Sequence, residues 1–368
     1  MKEEVHGRES MNSPEVPRKD PIKRIASNVL LILLSLIVCL FVGEVLTRLY
    51  LRSRPTNPNV GGVIVIDEQL GWRTAANFRF QGRLEDAAGR HYFADVRTDS
   101  RGSRLFGDLA SQRRRVFFVG DSFTYAGHVS NDKTYYSIVN AALPQVEAFA
   151  YGGNGYGTLQ ELMIVDELID VIQPDALVLQ YCGNDIINNS YGLERRSDAN
   201  NNGMRRPYLD EDGQVFYALP KGFFPRFREF ANNYSRFLYL ILSRVDRLYS
   251  NKETPAETLL FNEGRASPLV KDALDVTAEL LREIRTRVPQ EIEIYAFTVE
   301  YATHPLYEEF KRMSDLAGIE FIEEVPLALG TQEQKGTVVR AADNAHWNEK
   351  GHQIVADALV TYFANIWE

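Results

Sequence analysis

The first strong pattern along the chain is a long apolar run near its beginning. From Ile25 to Gly43 no residue is charged, and most residues are Leu, Ile or Val. A run of this length can cross the hydrocarbon core of a bilayer, which is about 30 Å thick. The pattern predicts a transmembrane signal-anchor helix over 25–46, with a polar tail over 1–24 before it and a linker over 47–61 after it.

Basic residues are more numerous before this run than just after it. Six precede it and three follow closely, namely Lys2, Arg8, Arg18, Lys19, Lys23 and Arg24, then Arg48, Arg52 and Arg54. The positive-inside bias therefore predicts a single-pass protein of the cytoplasmic (inner) membrane, with a cytoplasmic tail and a periplasmic or extracellular main part. A cleaved signal peptide is the alternative. It is disfavoured because no small-x-small site follows the run.

Beyond residue 112 the pattern changes to short apolar runs that alternate with stretches of helical spacing. Strands are predicted over 116–119, 145–150, 176–181, 291–298 and 319–322. Helices are predicted over 132–143, 268–288, 305–317 and 349–367, and one more follows a capping box at Thr158–Glu161 and ends before Pro174. Strands that alternate with helices predict a parallel sheet covered on both faces.

Two segments lie outside this alternation. Residues 62–111 place short apolar runs between glycines and charged residues, which predicts a small β-rich region. A polar, aromatic-rich insertion covers 188–265, with a hairpin predicted around 210–213 and a helix around 237–242. That helix either covers the core or, alternatively, shapes a substrate site or faces a membrane.

Composition and charge narrow the range of functions. The 368 residues are 45% hydrophobic and 25% charged, and the net charge of −9 argues against nucleic acid as a partner. Cys39 belongs to the apolar run and Cys182 follows a predicted core strand, so no intrachain disulfide is expected. The chain has no Cys/His spacing typical of zinc sites, and no metal or cofactor is expected.

The first candidate for chemistry is Ser122 in Gly120-Asp121-Ser122. It follows the buried strand 116–119 at the point where the chain leaves the sheet. Ligands of open α/β sheets bind outside the carboxyl ends of the strands, so a serine there is a candidate nucleophile. Alone, the tripeptide is ordinary turn composition.

Three later loops supply groups that a serine nucleophile needs. A glycine-rich loop over 152–157 can present backbone N–H groups, and the amide of Asn184 can donate to a developing oxyanion. Asp343 precedes His346 by three residues, so the carboxylate can orient the imidazole as a general base. Each loop alone has an ordinary structural explanation, whereas together they form a complete acyl-transfer set.

With these residues the chain resembles the SGNH (GDSL-type) hydrolase superfamily of esterases, lipases and carbohydrate deacetylases, in a membrane-anchored bacterial subgroup. The resemblance covers roughly 112–368 and implies a flavodoxin-like three-layer α/β/α sandwich for that domain. Two departures are Trp347, where proline is frequent, and Ala150, where asparagine is frequent. Neither departure removes a catalytic group.

The resemblance also implies a role for each matching residue. Ser122 is the nucleophile and first oxyanion donor, His346 is the base and Asp343 is its partner. The further oxyanion donors are Gly155, with Gly153 as the alternative, and Asn184.

The predicted catalytic domain contains three other histidines. His352 is an alternative base, but it falls inside the predicted terminal helix. His128 and His304 have no evident partner in the sequence and are expected at the surface.

The predicted function is therefore a serine esterase acting on O-acyl, above all O-acetyl, esters of a cell-surface or secreted polysaccharide. One alternative is an O-acyltransferase that uses the same three residues. Another is a non-catalytic polysaccharide-binding or assembly protein on a hydrolase fold. The expected partners are an acylated carbohydrate, the membrane, and proteins of polysaccharide biosynthesis or export.

Overall fold

The structure is a computed structural model that describes residues 21–53, 63–197, 199–200, 204–219, 231, 234–250 and 253–367. Most of the predicted tail (1–24), part of the linker (47–61) and parts of the insertion (188–265) lie outside the described residues.

Twelve strands occur in the described part of the chain. They are β1 Ile64–Asp67, β2 Gly71–Thr74, β3 Arg79–Glu85, β4 His91–Arg97, β5 Leu105–Phe106, β6 Arg114–Gly120, β7 Val146–Gly152, β8 Ala176–Tyr181, β9 Arg206–Leu209, β10 Val215–Ala218, β11 Glu293–Thr298 and β12 Glu320–Phe321.

The helices of the same residues differ widely in length. They are α1 Pro21–Ser53, α2 Ser122–Tyr125, α3 Tyr135–Ala142, α4 Thr158–Ile172, α5 Gly183–Asn188, α6 Tyr191–Glu194, α7 Arg236–Ser250, α8 Ala256–Thr258, α9 Pro268–Arg287, α10 Pro305–Ala317, α11 Glu324–Gln334 and α12 Glu349–Ile366. Short 3₁₀ or π segments add Asn131–Lys133, Leu259–Glu263 and Gly264–Ala266.

Helix α1 contains the apolar run. Its segment Ile25–Tyr50 is 26 residues long with a mean hydropathy of 2.9, and the apolar side chains are exposed. The length and composition suit a membrane span or a signal sequence. The helix begins before residue 25 and continues past residue 46, because polar residues at its ends also suit helical structure.

The central sheet has the order β12–β11–β8–β6–β7–β5. All neighbours run parallel except β5, which is antiparallel to β7, so the sheet is mixed but mostly parallel. The prediction of a parallel sheet is confirmed for five strands. The two-residue β5 was missed because a run that short carries no periodicity.

Both faces of the sheet are covered by helices. Phe117 and Val119 of β6 face one apolar core, which also contains buried side chains of α4, α9 and α10. Val116 and Phe118 face the other core, with α3, α11 and α12. Because alternate residues of a strand point to opposite faces, one continuous apolar run can serve both cores. The result is three layers, α/β/α.

The start of α4 differs from the prediction. The helix begins at Thr158, so Thr158 is not the N-cap of the predicted capping box, and Glu161 is buried. The side chain of Gln160 accepts from the Gly157 N–H at 3.4 Å instead, and the side chain of Asn189 accepts from the Leu159 N–H at 3.2 Å. Asn189, which is distant in sequence, thus accepts the hydrogen bond from the start of α4 that the Thr158 side chain was expected to accept.

Helix α7 contains the helix predicted around 237–242, and it packs against α1. The carboxylate of Glu44 accepts from the Ser235 hydroxyl at 2.8 Å and from the Phe237 N–H at 3.0 Å. The ring of Phe237 lies over Gly43, where a Cβ would be 2.6 Å from it. These contacts join α7 to the apolar helix α1.

His352 is buried in α12 and ties stability to pH. Its ring stacks on Tyr135, and burial with the positive charge of Arg104 lowers its pKa to about 3. Below its unfolded pKa of about 6.5, the unfolded chain binds a proton that the native chain excludes. Stability that is present above pH 6.5 is therefore lost as the pH falls, by about 1.4 kcal/mol per pH unit from this residue.

We expect His352→Phe to flatten the pH dependence of unfolding by that slope between pH 6 and 4. Denaturant curves of the detergent-solubilised chain at several pH values measure it. His91→Phe, at an exposed position in β4, is the matched control and should leave the slope unchanged. Parallel stability curves for His352→Phe and wild type would contradict the expectation.

Candidate active site

Ser122 lies at the carboxyl end of the central strand β6. Asp121 caps the short helix α2, with its carboxylate accepting from the Phe123 N–H at 2.9 Å, and Ser122 is the first helical residue. An N–H at this position has no acceptor within the helix and is available to a ligand. Gly120 is needed because a Cβ there would lie 2.5 Å from the side chains of Gln180 and Thr124.

Asp343 and His346 lie in the loop before α12. Asn344, between them, adopts a left-handed conformation with φ of 57°. One Asp343 carboxylate oxygen, Oδ1, accepts from the N–H groups of Ala345 at 3.0 Å and His346 at 3.1 Å. The other, Oδ2, is 2.6 Å from Nδ1 of His346. The loop therefore fixes the carboxylate and the imidazole together.

The structure brings this loop to Ser122. Nε2 of His346 is 2.7 Å from Oγ of Ser122, although the two residues are 224 positions apart. Burial opposes ionisation of Asp343, but hydrogen bonds from His128 and His346 hold its pKa well below the ordinary value. The carboxylate stays charged, as a partner of an imidazolium must.

Aromatic rings support the imidazole. The ring of Phe123 lies 5.0 Å from that of His346 and 4.7 Å from that of Trp347, measured between centroids. Trp347 is fully buried. The tryptophan that departs from the family pattern thus packs under the loop and helps to hold His346 in place.

Both predicted oxyanion donors, Gly155 and Asn184, line the same cleft as Ser122. Gly155 has φ of 65°, which glycine adopts readily, and its N–H donates to none of the described residues. The N–H of Gly153 donates to the Gly120 carbonyl at 3.1 Å, so the alternative donor is already used. Of the two glycines, only Gly155 suits the predicted role.

We call residues 152–157 the glycine loop, and β2 holds it from one side. The indole N–H of Trp72 donates to the Asn154 carbonyl at 2.9 Å, and the Thr74 hydroxyl donates to the Gly152 carbonyl at 3.0 Å. In return the Tyr156 hydroxyl donates to the Trp72 carbonyl at 2.7 Å. The N-terminal strands thereby fix the backbone from which Gly155 would donate.

Arg206 of β9 holds the glycine loop from the insertion. Its side chain is 1% exposed, and Nη2 donates to the Gly155 carbonyl at 2.7 Å. Nε lies 2.7 Å from a carboxylate oxygen of Glu194, and the guanidinium lies 4.5 Å from the centroid of the Trp72 ring. Nη1 donates to Gln160. Nothing in the sequence singles out this residue, because one arginine in a polar insertion resembles any surface arginine.

The cleft has a volume of about 430 Å³. Its walls combine apolar, amide and charged side chains, including Ile187, Phe261, Asn154, Asn188, Asn200, Glu300 and Arg340. Such a mixed lining offers a ligand both apolar contacts and hydrogen-bonding groups.

Two expectations about histidines were wrong. His128 is buried rather than exposed, and its Nε2 lies 3.1 Å from Oδ2 of Asp343. His304 is half-buried, with Nε2 3.5 Å from Glu300 and Nδ1 accepting from the Leu306 N–H. Asp343 is far from His128 in the sequence, whereas Glu300 and Leu306 lie close to His304. One signal for His128 was available, because it follows Ser122 by only six residues.

His128, Asp343 and His346 could together hold a metal ion. The ligand atoms of His128, Asp343 and His346 lie within 4.8 Å of one another. Hydrogen bonding accounts for their arrangement, since each imidazole faces the carboxylate.

A hydroxyl, an imidazole and a carboxylate joined in this order, beside N–H donors in a cleft, define an acyl-transfer site of the serine-hydrolase class. The family model of GDSL-like lipase/acylhydrolases matches residues 116–359, well over half of the chain. The chain belongs to this family. It is an ester hydrolase of the SGNH type, with the corresponding α/β hydrolase fold.

Solved structures with a similar arrangement share little sequence with the chain. A protein of the lipolytic G-D-S-L family from Veillonella parvula is 14% identical, with 68% of this chain and 98% of that chain covered and a TM-score of 0.36. A lipase/acylhydrolase from Enterococcus faecalis is 14% identical, covering 69% and 96%, with a TM-score of 0.38. An acetylxylan esterase from Geobacillus stearothermophilus is 14% identical, covering 69% and 94%, with a TM-score of 0.37. No curated protein matches the chain.

Proposed function

We propose that Ser122 is the nucleophile, His346 the general base and Asp343 its orienting partner in ester hydrolysis. The observation that carries the proposal is the unbroken contact from Ser122 Oγ through the His346 ring to Asp343, at 2.7 and 2.6 Å. Ser122 attacks the ester carbonyl while Nε2 of His346 takes the hydroxyl proton. His346 then gives that proton to the leaving alcohol, and water releases the acyl group by the reverse sequence.

The negative charge that develops on the carbonyl oxygen needs fixed donors. The N–H groups of Ser122 and Gly155 and the side-chain amide of Asn184 are proposed to supply them. All three residues line the cleft, and Gly155 is held by Arg206 through its carbonyl. Donors fixed in advance stabilise a transition state without reorganisation.

The proposed substrate is an O-acetyl ester on a carbohydrate. The cleft presents the side-chain amides of Asn154, Asn188 and Asn200. It also presents the carboxylate of Glu300 and the guanidinium of Arg340. These groups match sugar hydroxyls, which both donate and accept hydrogen bonds. A volume of about 430 Å³ that is shared with a sugar leaves room for a short acyl group.

The proposed arrangement in the cell is a membrane-anchored enzyme. It consists of a cytoplasmic tail, a spanning helix over 25–46, a linker, the β-rich region 62–111 and a catalytic domain over 112–368 outside the cytoplasm. The apolar, exposed surface of α1 supports the anchor, and the excess of basic residues before it supports the orientation.

Acyl-chain preference tests the substrate proposal. We expect the detergent-solubilised chain to hydrolyse p-nitrophenyl acetate with a kcat/KM about tenfold or more above that for the octanoate, because a longer alkyl chain would have to lie against the amide and charged side chains of the cleft. Acetylated xylo-oligosaccharide should release free acetate, measured by coupled assay. A preference for octanoate would contradict the carbohydrate substrate, and acetyl groups appearing on an added acceptor sugar would identify a transferase.

A further inference from the structure

His128 is a second imidazole on the carboxylate of the proposed triad. Its Nε2 is 3.1 Å from Oδ2 of Asp343, the same oxygen that contacts Nδ1 of His346 at 2.6 Å. The two imidazole rings stack, with centroids 5.1 Å apart and planes inclined by 26°. His128 is only 6% exposed. Oδ2 of Asp343 therefore faces two buried or half-buried histidines at once.

The loop that carries His128 is held from two sides. The guanidinium of Arg104 donates to the carbonyl of Ala126 at 2.7 Å and to that of Val129 at 2.8 Å. The Tyr92 hydroxyl donates to the carbonyl of His128 itself at 2.9 Å. Because the backbone is fixed on both sides of the residue, the imidazole is placed against Asp343 by the fold.

The chemistry of the contact determines which nitrogen carries a proton. An ionised carboxylate only accepts hydrogen bonds, so Nε2 of His128 must donate to Asp343. Through this contact His128 helps to orient the carboxylate, which stabilises the positive charge that His346 gains in the transition state.

Other charged groups face His128 from each neighbouring element. Arg104 contributes a fixed positive charge, and His352 of α12 stays neutral because burial lowers its pKa to about 3. Burial and the charge of Glu349 raise the pKa of Tyr92 above its ordinary value, so Tyr92 also stays neutral. Asp86 lies beside Tyr92 and is paired with its own neighbour Arg90.

We propose that His128 is a positioning residue that holds Asp343 for His346. This inference rests on the proposed roles of Ser122, His346 and Asp343. His128 then becomes a fourth residue of this group. It touches no reacting atom and acts through the carboxylate of Asp343.

The test is kcat and KM for p-nitrophenyl acetate, measured at pH 8 on the full chain in detergent. His128→Gln keeps a donor at a similar distance, and His128→Phe keeps a ring without a donor. We expect kcat to fall about tenfold in His128→Phe and about threefold in His128→Gln, with KM little changed in both variants.

Two results would overturn the inference. They are a kcat for His128→Phe equal to that of wild type, or a kcat for His128→Gln no higher than that for His128→Phe. If the Phe variant does not fold, as judged by near-ultraviolet circular dichroism, the Gln variant decides, and a kcat equal to that of wild type contradicts the inference. Failure of the proposed function gives a different result: Ser122→Ala would then hydrolyse the ester as fast as wild type, whatever the rates of the His128 variants.

Discussion

Replacing Ser122 by alanine lowers kcat/KM for p-nitrophenyl acetate by about 10³-fold or more, if the hydroxyl is the nucleophile. The variant keeps His346, Asp343 and the donors of the cleft, but it has no oxygen that can form an acyl-enzyme. Any remaining rate would come from the oxyanion donors acting on water. Initial rates of wild type and variant on the same substrate, corrected for spontaneous hydrolysis, measure the effect.

A second serine-to-alanine variant serves as the control that distinguishes a loss of catalysis from a loss of folding. Ser111 precedes the start of β6, at the edge of the sheet opposite to Ser122, so Ser111→Ala should keep the wild-type rate. A fluorophosphonate should label wild type and Ser111→Ala on the Ser122 peptide, identified by mass spectrometry, and leave Ser122→Ala unmodified. Equal rates for wild type and Ser122→Ala would contradict the assignment of the nucleophile.

The largest expected effect on stability comes from Arg206. Arg206→Met should lower the free energy of unfolding by about 3–5 kcal/mol, because it leaves the buried carboxylate of Glu194 without its cation. The same change removes the donors to the Gly155 carbonyl and to Gln160. Denaturant curves give the stability, and kcat of any folded fraction reports on the glycine loop.

Two further variants show whether the unpaired charge is the cause. Arg206→Met combined with Glu194→Gln should recover part of the loss, since a neutral amide is cheaper to bury than a carboxylate. Arg282→Met breaks an exposed pair with Glu279 and should cost less than about 1 kcal/mol. A loss for Arg206→Met as small as that for Arg282→Met would contradict the buried-pair explanation.

The parts of the fold that the sequence predicts well are those with a long, regular pattern. The strand 176–181 and the helix 305–317 have the predicted bounds, because each is a run of one period between clear breakers. Helix α11 and strand β5 were not predicted. The first has weak amphipathic character and the second is two residues long, and both owe their structure to tertiary packing.

The candidate site likewise contains residues that the sequence predicts and residues that it does not. Ser122, Asn184 and His346 follow strand ends or precede a helix, and parallel strands bring such positions to one edge. His128 and Arg206 could not be placed, because their burial depends on contacts with residues far away in the chain. Local pattern predicts where a loop begins, whereas the partners that fix it come from the whole fold.

The hydrogen bonds between β2 and the glycine loop determine where a shortened form of this enzyme can begin. The matched family region begins at residue 116, yet Trp72 and Thr74 supply donors to the carbonyls of Asn154 and Gly152. A recombinant fragment that starts at 112 would expose the apolar wall that Trp72 covers and leave those carbonyls to solvent. Soluble fragments for crystallisation or assay should therefore start near Val63, so that the strands ahead of the hydrolase core stay with it.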